Sequence, residues 1–407
     1  MRPLDTIESA LIDIKAGKMI IVVDDEDREN EGDFVMSADL ITPETINFMA
    51  TVGRGLICTP ISQTIADQLD LKRQVETNTA SLGTAFTITI DAREKISTGI
   101  SASDRSHSIK LMTSKDSKPD DFVRPGHIFP LIAKDGGVIV RNGHTEAAVD
   151  LSLMSGHSAA GVICEIVSPN GDMARFPELC DLADKYNLKM ISIADLVDYR
   201  KKTENFISTV ESIPFPTKFG EFQMFIFKSD VLGQEHVAIV KGDLEKLKVT
   251  PTLTRLHSEC FTGDIFGSQR CDCGEQLNQA MKEINEKGSG LIVYLRQEGR
   301  GIGLFNKIKA YQLQDQGMDT ADANTHLGFP VDARDYTMAA QIIKYFGISK
   351  LKLLTNNPLK LEALEKLGIK DVERASIEIQ ANQKNAQYLQ TKKTKLGHLL
   401  KQNLLNQ

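Results

Sequence analysis

Apolar residues Ile7, Ala10, Leu11 and Ile14 recur at helical spacing and fall on one face, which predicts an opening helix. Asp5 and Glu8 have capping-box spacing at its start, and Gly17 stops it. Met19-Ile-Ile-Val-Val is an unbroken apolar run of strand length and reads as a buried strand. Ala147, Ala148, Leu151 and Met154 form a second amphipathic segment, with Thr145 its expected N-cap and Gly156 just beyond it. Ala160 to Val167 is a strand-length apolar run interrupted by one carboxylate, Glu165. The strand and helix pattern pauses after Tyr199 in Arg200-Lys-Lys-Thr-Glu-Asn. Beyond Pro214 and Pro216 it resumes with the alternating run Phe222-Gln-Met-Phe-Ile-Phe, a strand. Leu291 to Leu295 reads as another strand, and Asn357-Pro358 as a helix start. The prediction is an α/β (α+β) protein of two mixed-sheet domains with flanking helices in tandem, residues 1–201 and 202–407, without internal repeats.

Composition narrows the class. The 407 residues are 41% hydrophobic and 25% charged with no tryptophan, as in an ordinary globular protein, and length alone predicts two or three domains. A net charge of −7 argues against a nucleic-acid partner, which would need a basic surface. No apolar run is long enough to span a bilayer, and Asp5, Glu8 and Asp13 stand where a secretory signal would be apolar, so a cytoplasmic protein without a membrane partner is expected. Lys392, Lys393 and Lys395 read as a solvated face.

Candidate chemistry is concentrated in a few segments. Cys260, Cys271 and Cys273 form a C-x10-C-x-C cluster, one ligand short of a closed structural zinc site. That spacing suits a catalytic zinc whose fourth position holds water, with a disulfide or buried thiols as the alternative. Six cysteines are too sparse for a disulfide framework, and Cys58, Cys164 and Cys180 lie in apolar surroundings, as small buried hydrophobes do. Asp24 to Asp33 packs seven carboxylates into ten residues directly after a core strand, either a solvated acidic loop or oxygen ligands for a hard divalent cation. His144 and Thr145 stand at a helix N-terminus, a ready phosphate site. Glu165 is a candidate acid or base if buried, or an exposed carboxylate on an edge strand. Asp104-Arg105 and Arg124 to His127 add loop cations and a histidine. Gly299, Gly301 and Gly303 lack the context of a dinucleotide fingerprint.

These segments carry a resemblance. Through DDEDRENEGD, TGISASDR, RPGHIFPL, RNGHTEAAVDL and GVICEI the first half resembles 3,4-dihydroxy-2-butanone 4-phosphate synthases. Through RLHSECFTGD, RCDCG, RQEGRGIGL, KIKAYQLQDQG, DARDY and LLTNNPLK the second resembles GTP cyclohydrolases II. Their order is that of the fused bifunctional enzymes of riboflavin biosynthesis. Ala80 stands where an acidic or hydroxyl residue would also fit the first family.

The resemblance implies two reactions. The first converts D-ribulose 5-phosphate to 3,4-dihydroxy-2-butanone 4-phosphate plus formate, with Mg2+ or Mn2+ on Glu29 and His144. Arg28, Glu29, Asp33, Arg141, Asn142, Gly143, His144, Thr145 and Glu165 would contact that sugar phosphate, with His127 and Glu165 moving protons. The second converts GTP to a diaminopyrimidinone ribosylamino phosphate, formate and pyrophosphate, with Zn2+ on Cys260, Cys271 and Cys273. Arg255, Leu256, His257, Ser258, Glu259, Gln276, Glu298, Gly299, Arg300, Thr320, Thr355 and Lys360 would contact GTP, Glu298 as acceptor for the guanine edge. Tyr311 would serve as acid or hydrogen-bond donor. Arg334, with Asp332 as proton acceptor, would be a nucleophile at the α-phosphate, or else a phosphate clamp. Both families imply a homodimer. Two other readings are a fusion with one silent half and a GTP-binding regulatory module with a structural metal.

Overall fold

The structure is a computed structural model describing residues 2–395 and 397–401, the side chains of Thr320 and Gln387 excepted. It divides into two compact units, Met1–Thr203 and Glu204–Gln407, each with its own seven-stranded sheet. The helix Ile193–Thr203 runs through residue 201, so the division falls at its end.

The first unit contains β1 (Ile20–Val23), β2 (Gly32–Ser37), β3 (Cys58–Ile61), β4 (Ile90–Ala92), β5 (Phe122–Ile132), β6 (Gly161–Glu165) and β7 (Met190–Ser192). They lie in the order β4-β5-β3-β6-β2-β1-β7, with β1–β7 and β3–β5 parallel and the other neighbours antiparallel. The unbroken apolar run of β1 is explained by burial on both faces. Ile20 and Val22 pack with Ala10, Ile14, Ala147 and Leu151, while Ile21 and Val23 pack on the other face with Phe34, Met36 and Leu179. Cys58, Cys164 and Cys180 are buried in these two layers. β6 is central, so an edge-strand position for Glu165 is ruled out; the residue is instead half-buried at the strand's C-terminal end.

Two expected helix starts move. Thr6 caps the helix Ile7–Lys15, its hydroxyl accepting from Ser9 N, whereas Asp5 turns away to Arg2, Lys189 and the Met190 N–H. Gly143 caps the helix His144–Met154, so Thr145 lies inside the first turn and the cap contributes no side chain.

The second unit contains β8 (Thr209–Thr217), β9 (Gly220–Ser229), β10 (Gln234–Lys241), β11 (Thr252–Ser258), β12 (Gly290–Leu295), β13 (Lys350–Leu354) and β14 (Asp371–Ala375), in the order β14-β13-β11-β12-β10-β9-β8. β8, β9, β10 and β12 are successively antiparallel, and β12, β11, β13 and β14 parallel. The helix Cys273–Lys287 covers one face through Ala280, Met281 and Ile284, against Phe222, Leu253 and Ile292, and ends at the left-handed Gly288. The parallel strands β11, β12 and β13 release their chains at one edge, where parallel sheets place ligand crevices. Among the described residues no helix is long and apolar enough to cross a membrane.

Candidate active sites

In the first unit the acidic segment is folded back on one of its own members. Asp24, whose side chain is 1% exposed, accepts from Arg28 Nη1 at 2.8 Å, Glu29 N at 3.1 Å and Glu31 N at 2.8 Å. Asn30, in the left-handed region, lets the chain turn back into β2. Asp25, Glu26 and Asp27 are exposed, so the solvated-loop reading holds for the tip and fails at its base. Ligand atoms of Asp24, Glu29 and His144 lie within 4.8 Å of one another. His144 is buried at the start of its helix; Nε2 lies 3.1 Å from the Val22 carbonyl, which leaves Nδ1 facing Glu29 Oε2 at 3.8 Å. Burial opposes its charge, but Asp33, Glu29 and Asp24 push its pKa up to about 9. His144 and Arg28 in turn hold Glu29 below the usual carboxylate range.

Asp33 and Glu165 face each other across β2 and β6. Asp33 is 2% exposed, and its Oδ1 has no hydrogen-bond partner. Burial first, then the neighbouring carboxylates Glu165, Glu31 and Glu29, push Asp33 up to about 7, against the opposing pull of His144. Glu165 Oε2 accepts from Leu56 N at 2.8 Å, and Gly55 is needed there because a Cβ would lie 2.4 Å from the Glu165 carbonyl oxygen. Arg141 pairs with buried Glu146 at 2.5 Å; Gly143 is buried beside them and Asn142 is exposed. His127 stands elsewhere on the sheet: β5 and β6 flank β3, and His127 Nδ1 lies 2.7 Å from Asp91 Oδ2 on β4. Two strand spacings, about 9–10 Å, separate the backbones carrying His127 and Glu165.

In the second unit the thiol groups of Cys260, Cys271 and Cys273 lie within 4.8 Å of one another, Cys260 and Cys271 3.6 Å apart. No cystine is formed, which removes the disulfide alternative. Lys307 Nζ lies 3.1 Å from Cys260 Sγ and 2.8 Å from Glu298 Oε1, and the cation favours thiolate at Cys260. Gly263 forms the floor of the cluster: a Cβ there would lie 2.9 Å from Cys271 Sγ and 3.1 Å from Cys260 Sγ. His257 faces both oxygens of Asp264 at 3.1 Å, and Asp264 accepts from Cys260 N, so β11 and the first cysteine are locked together.

A pocket opens beside these thiols. It is lined by Arg255, His257, Ser258, Glu259, Gln276, Glu298, Gly299, Arg300, Tyr311, Arg334, Thr355 and Lys360, as well as the three cysteines. Leu256 is fully buried and contributes only its carbonyl, which accepts from Lys360 Nζ at 2.7 Å. The Thr320 side chain lies outside the described residues. Glu298 is already engaged: Oε2 accepts from Phe261 N at 2.5 Å and Oε1 from Lys307 and Gly299 N, so guanine would have to displace those donors. Arg334 donates to Asp332 through Nε at 2.8 Å and through Nη2. Burial opposes the Arg334 charge, but Tyr336 and Asp332 push its pKa up further. Burial, with Arg255, Arg334 and Lys392 adding to it, holds Lys360 well below the ordinary lysine range.

Several site residues escaped sequence reading. Asp24 was hidden among its acidic neighbours. Lys307 sits one helical turn before Tyr311, a spacing that puts both on one face and was a usable signal. Tyr388, Lys392 and His398 also line the pocket. Lys392 is therefore no solvated residue: it is 8% exposed and 2.6 Å from Asp272 Oδ1, while only Lys395 of that trio is exposed.

Comparison with known proteins matches both units. Residues 8–199 match the 3,4-dihydroxy-2-butanone 4-phosphate synthase family, and residues 208–376 match GTP cyclohydrolase II. The riboflavin biosynthesis protein RibBA of Bacillus subtilis (strain 168) is 56% identical over 394 residues, covering 97% of this chain and 98% of the relative. That of Synechocystis sp. (strain ATCC 27184 / PCC 6803 / Kazusa) is 52% identical over 403 residues, covering 98% of this chain and 72% of the relative. Among solved structures, RibBX, a two-domain 3,4-dihydroxy-2-butanone 4-phosphate synthase from A. baumannii, aligns with TM-score 0.69 at 34% identity over 92% of this chain and 100% of that one.

Proposed function

The chain belongs to the fused 3,4-dihydroxy-2-butanone 4-phosphate synthase and GTP cyclohydrolase II family of riboflavin biosynthesis, and from that premise we propose how its residues divide the two reactions. It is a bifunctional enzyme, a lyase in the first unit and a hydrolase in the second.

In the first unit the substrate is D-ribulose 5-phosphate, and the products are 3,4-dihydroxy-2-butanone 4-phosphate and formate. Glu29 and His144, joined by Asp24, are an oxygen and imidazole donor set that fits Mg2+ or Mn2+. Such a cation supplies Lewis acidity to the developing enediolate oxygens. Asp33 and Glu165 move protons at the sugar carbons: Asp33, pushed up to about 7, can both give and take a proton near neutrality, and Glu165 stands opposite it on β6. The first-turn N–H groups of the helix His144–Met154 receive the phosphate, with Arg28 and Arg141 to Thr145 at its rim. His127, oriented by Asp91, acts as a second proton carrier from the β4–β5 side.

In the second unit the substrate is GTP. The three thiols of Cys260, Cys271 and Cys273 on a glycine floor fit Zn2+ and would hold it; the ion would supply an activated water for attack at C8. Arg255, Arg300 and Lys360 surround the triphosphate, and Tyr311, beside Lys307, donates a hydrogen bond at the opened ring. Asp332 and Arg334 act at the α-phosphate. Protonated, Arg334 is a cation for that phosphate; to attack phosphorus it must lose a proton, and Asp332 is the acceptor already bonded to it. The chain works as a cytoplasmic homodimer; exposed Ile265, Phe266 and Phe305 in the second unit support a covered apolar face.

The observation that carries this reading is the meeting of the thiol cluster, buried cations and Arg334, itself bonded to Asp332, in one pocket. Mass-spectrometric product analysis with each substrate supplied alone tests it. Formate from both substrates is expected; formate from one alone would leave the other unit structural.

A further inference from the structure

The residues matched to GTP cyclohydrolase II end at 376, yet the chain that follows contributes Tyr388, Lys392 and His398 to the pocket wall. This segment is pinned to the second unit at several points. Buried Ile377 exchanges hydrogen bonds with the Asn356 side chain, and Leu399 N donates to the Asn356 carbonyl at 2.8 Å. Between them the helix Ala386–Thr394 buries Leu389 and sets Lys392 Nζ 2.6 Å from Asp272 Oδ1 and 4.4 Å from the Tyr388 ring centroid. Lys395 pairs with Asp319 and Asp322.

The partner of Lys392 matters most. Asp272 is 2% exposed and lies between two members of the thiol cluster, Cys271 and Cys273. Its Oδ2 accepts from Gln276 Nε2 at 2.6 Å, and Gln276 Oε1 accepts from Arg255 Nη2 at 2.5 Å. Arg255 is itself buried, its Nη1 donating to the Leu354 carbonyl at 2.8 Å. One continuous polar path thus runs from the C-terminal helix, through the residue between the cysteines, to a cation of the nucleotide pocket. Removing either end leaves a buried charge without its counter-ion, a change that costs more than the pair contributes when intact.

We propose that the C-terminal helix Ala386–Thr394 is a working wall of the nucleotide site, latched by Lys392 on Asp272, and that Lys392 is a positioning residue for Gln276 and Arg255 in the GTP reaction. The proposal rests on the GTP reading of the second unit. Lys392 acts on substrate binding through that path rather than on the bond-breaking steps.

The test uses the full chain. Lys392→Met is expected to lower kcat/KM for GTP about tenfold or more, mainly through KM, with zinc content and the ribulose 5-phosphate reaction unchanged. Lys392→Arg should recover most of that loss. The double variant Lys392→Met with Asp272→Asn should be no worse than Lys392→Met alone, because the two changes remove one interaction. A smaller loss, or additive losses in the double variant, overturns the proposal. If Lys392→Met does not fold, trypsin decides. Cleavage at Lys392 to Lys395 should be faster in Asp272→Asn than in the unaltered protein, and equal rates overturn the latch. Failure of the GTP reading shows separately, as an unaltered enzyme that releases no formate from GTP, and the latch is then judged by the trypsin comparison.

Discussion

Asp33 on β2 and Glu165 on β6 occupy directly opposed positions of an antiparallel pair, so two carboxylates share one side of the sheet. Opposed Cβ atoms in such a pair are about 5 Å apart, too close for both groups to ionise freely where one is buried. Burial first, and then the facing Glu165, push the Asp33 carboxyl up to about 7.

A neutral amide at that position removes both the proton and the charge penalty. Asp33→Asn is expected to lower formate release from ribulose 5-phosphate by about 100-fold or more. The sign on stability is opposite. A carboxyl raised from 3.8 to about 7 binds its proton more tightly in the folded state, so its contribution is greatest below pH 3.8 and lost as pH rises through 7. Asp33→Asn should therefore raise the melting temperature at pH 8 relative to the unaltered protein; a lower Tm there would refute the assignment.

The two sites should fail separately. Glu29→Gln is expected to abolish formate release from ribulose 5-phosphate while GTP turnover stays near that of the unaltered enzyme, and Cys273→Ser to do the reverse. Thiolate-bound zinc should survive gel filtration, whereas an oxygen-held Mg2+ exchanges readily. After filtration into metal-free buffer, GTP conversion should persist and the sugar phosphate reaction should stop until Mg2+ is restored. An active second unit without zinc by elemental analysis would contradict the cysteine assignment.

Arg334 is held by Asp332 through two nitrogens, so shape matters as well as charge. Arg334→Ala is expected to lower both formate and pyrophosphate release from GTP about 100-fold or more, and Arg334→Lys to recover less than about a tenth of wild-type turnover. Intact-mass measurement during turnover separates the roles: a guanylyl adduct marks attack by Arg334. Substantial turnover by the lysine variant with no adduct marks a phosphate clamp.

A pH effect on stability should arise away from both candidate sites. His236 on β10 is 2% exposed and accepts a hydrogen bond at Nδ1 from Arg296 N, which the protonated ring cannot do. Burial, with Arg296 adding to it, lowers its pKa from 6.5 to about 4. The unfolded chain therefore binds a proton that the folded chain refuses, and stability present above pH 6.5 is lost as pH falls toward 4. His236→Gln should flatten the denaturation midpoint of the second unit across that window, where the unaltered protein loses up to about 3 kcal/mol. An unchanged slope would remove His236 as the cause.

The thiol cluster was legible as a compact motif in the residue types, whereas Glu29 with His144, 115 residues apart, and Arg334 with Asp332 came from family resemblance; the fold brings each of these groups together. The sheet strands were legible where apolar runs were long, as in β1 and β9. Local chemistry failed where a distant partner decided the outcome. Asp5 and Thr6 are both good caps, and Asp5 lost the role because the Met190 N–H and Lys189 attract it. The lysines near the C-terminus looked solvated because nothing within their own segment could bury an ammonium; Asp272, 120 residues away, could. Asp24 is one acid among seven, and only the fold shows that it and Asp33 are turned inward.

The glycine floor under the thiols bears on which ion the three sulfurs would accept in the proposed zinc site. With a Cβ 2.9 Å and 3.1 Å from two sulfurs, Gly263 leaves no room for even one methyl group unless those sulfurs separate. The spacing of the three sulfurs is thus limited by the smallest side chain available, at a position that is not among the proposed ligands. Gly263→Ala would widen the triangle and shift its preference from zinc toward a larger thiophilic ion such as cadmium, so selectivity among soft metals is adjustable here without replacing a single ligand.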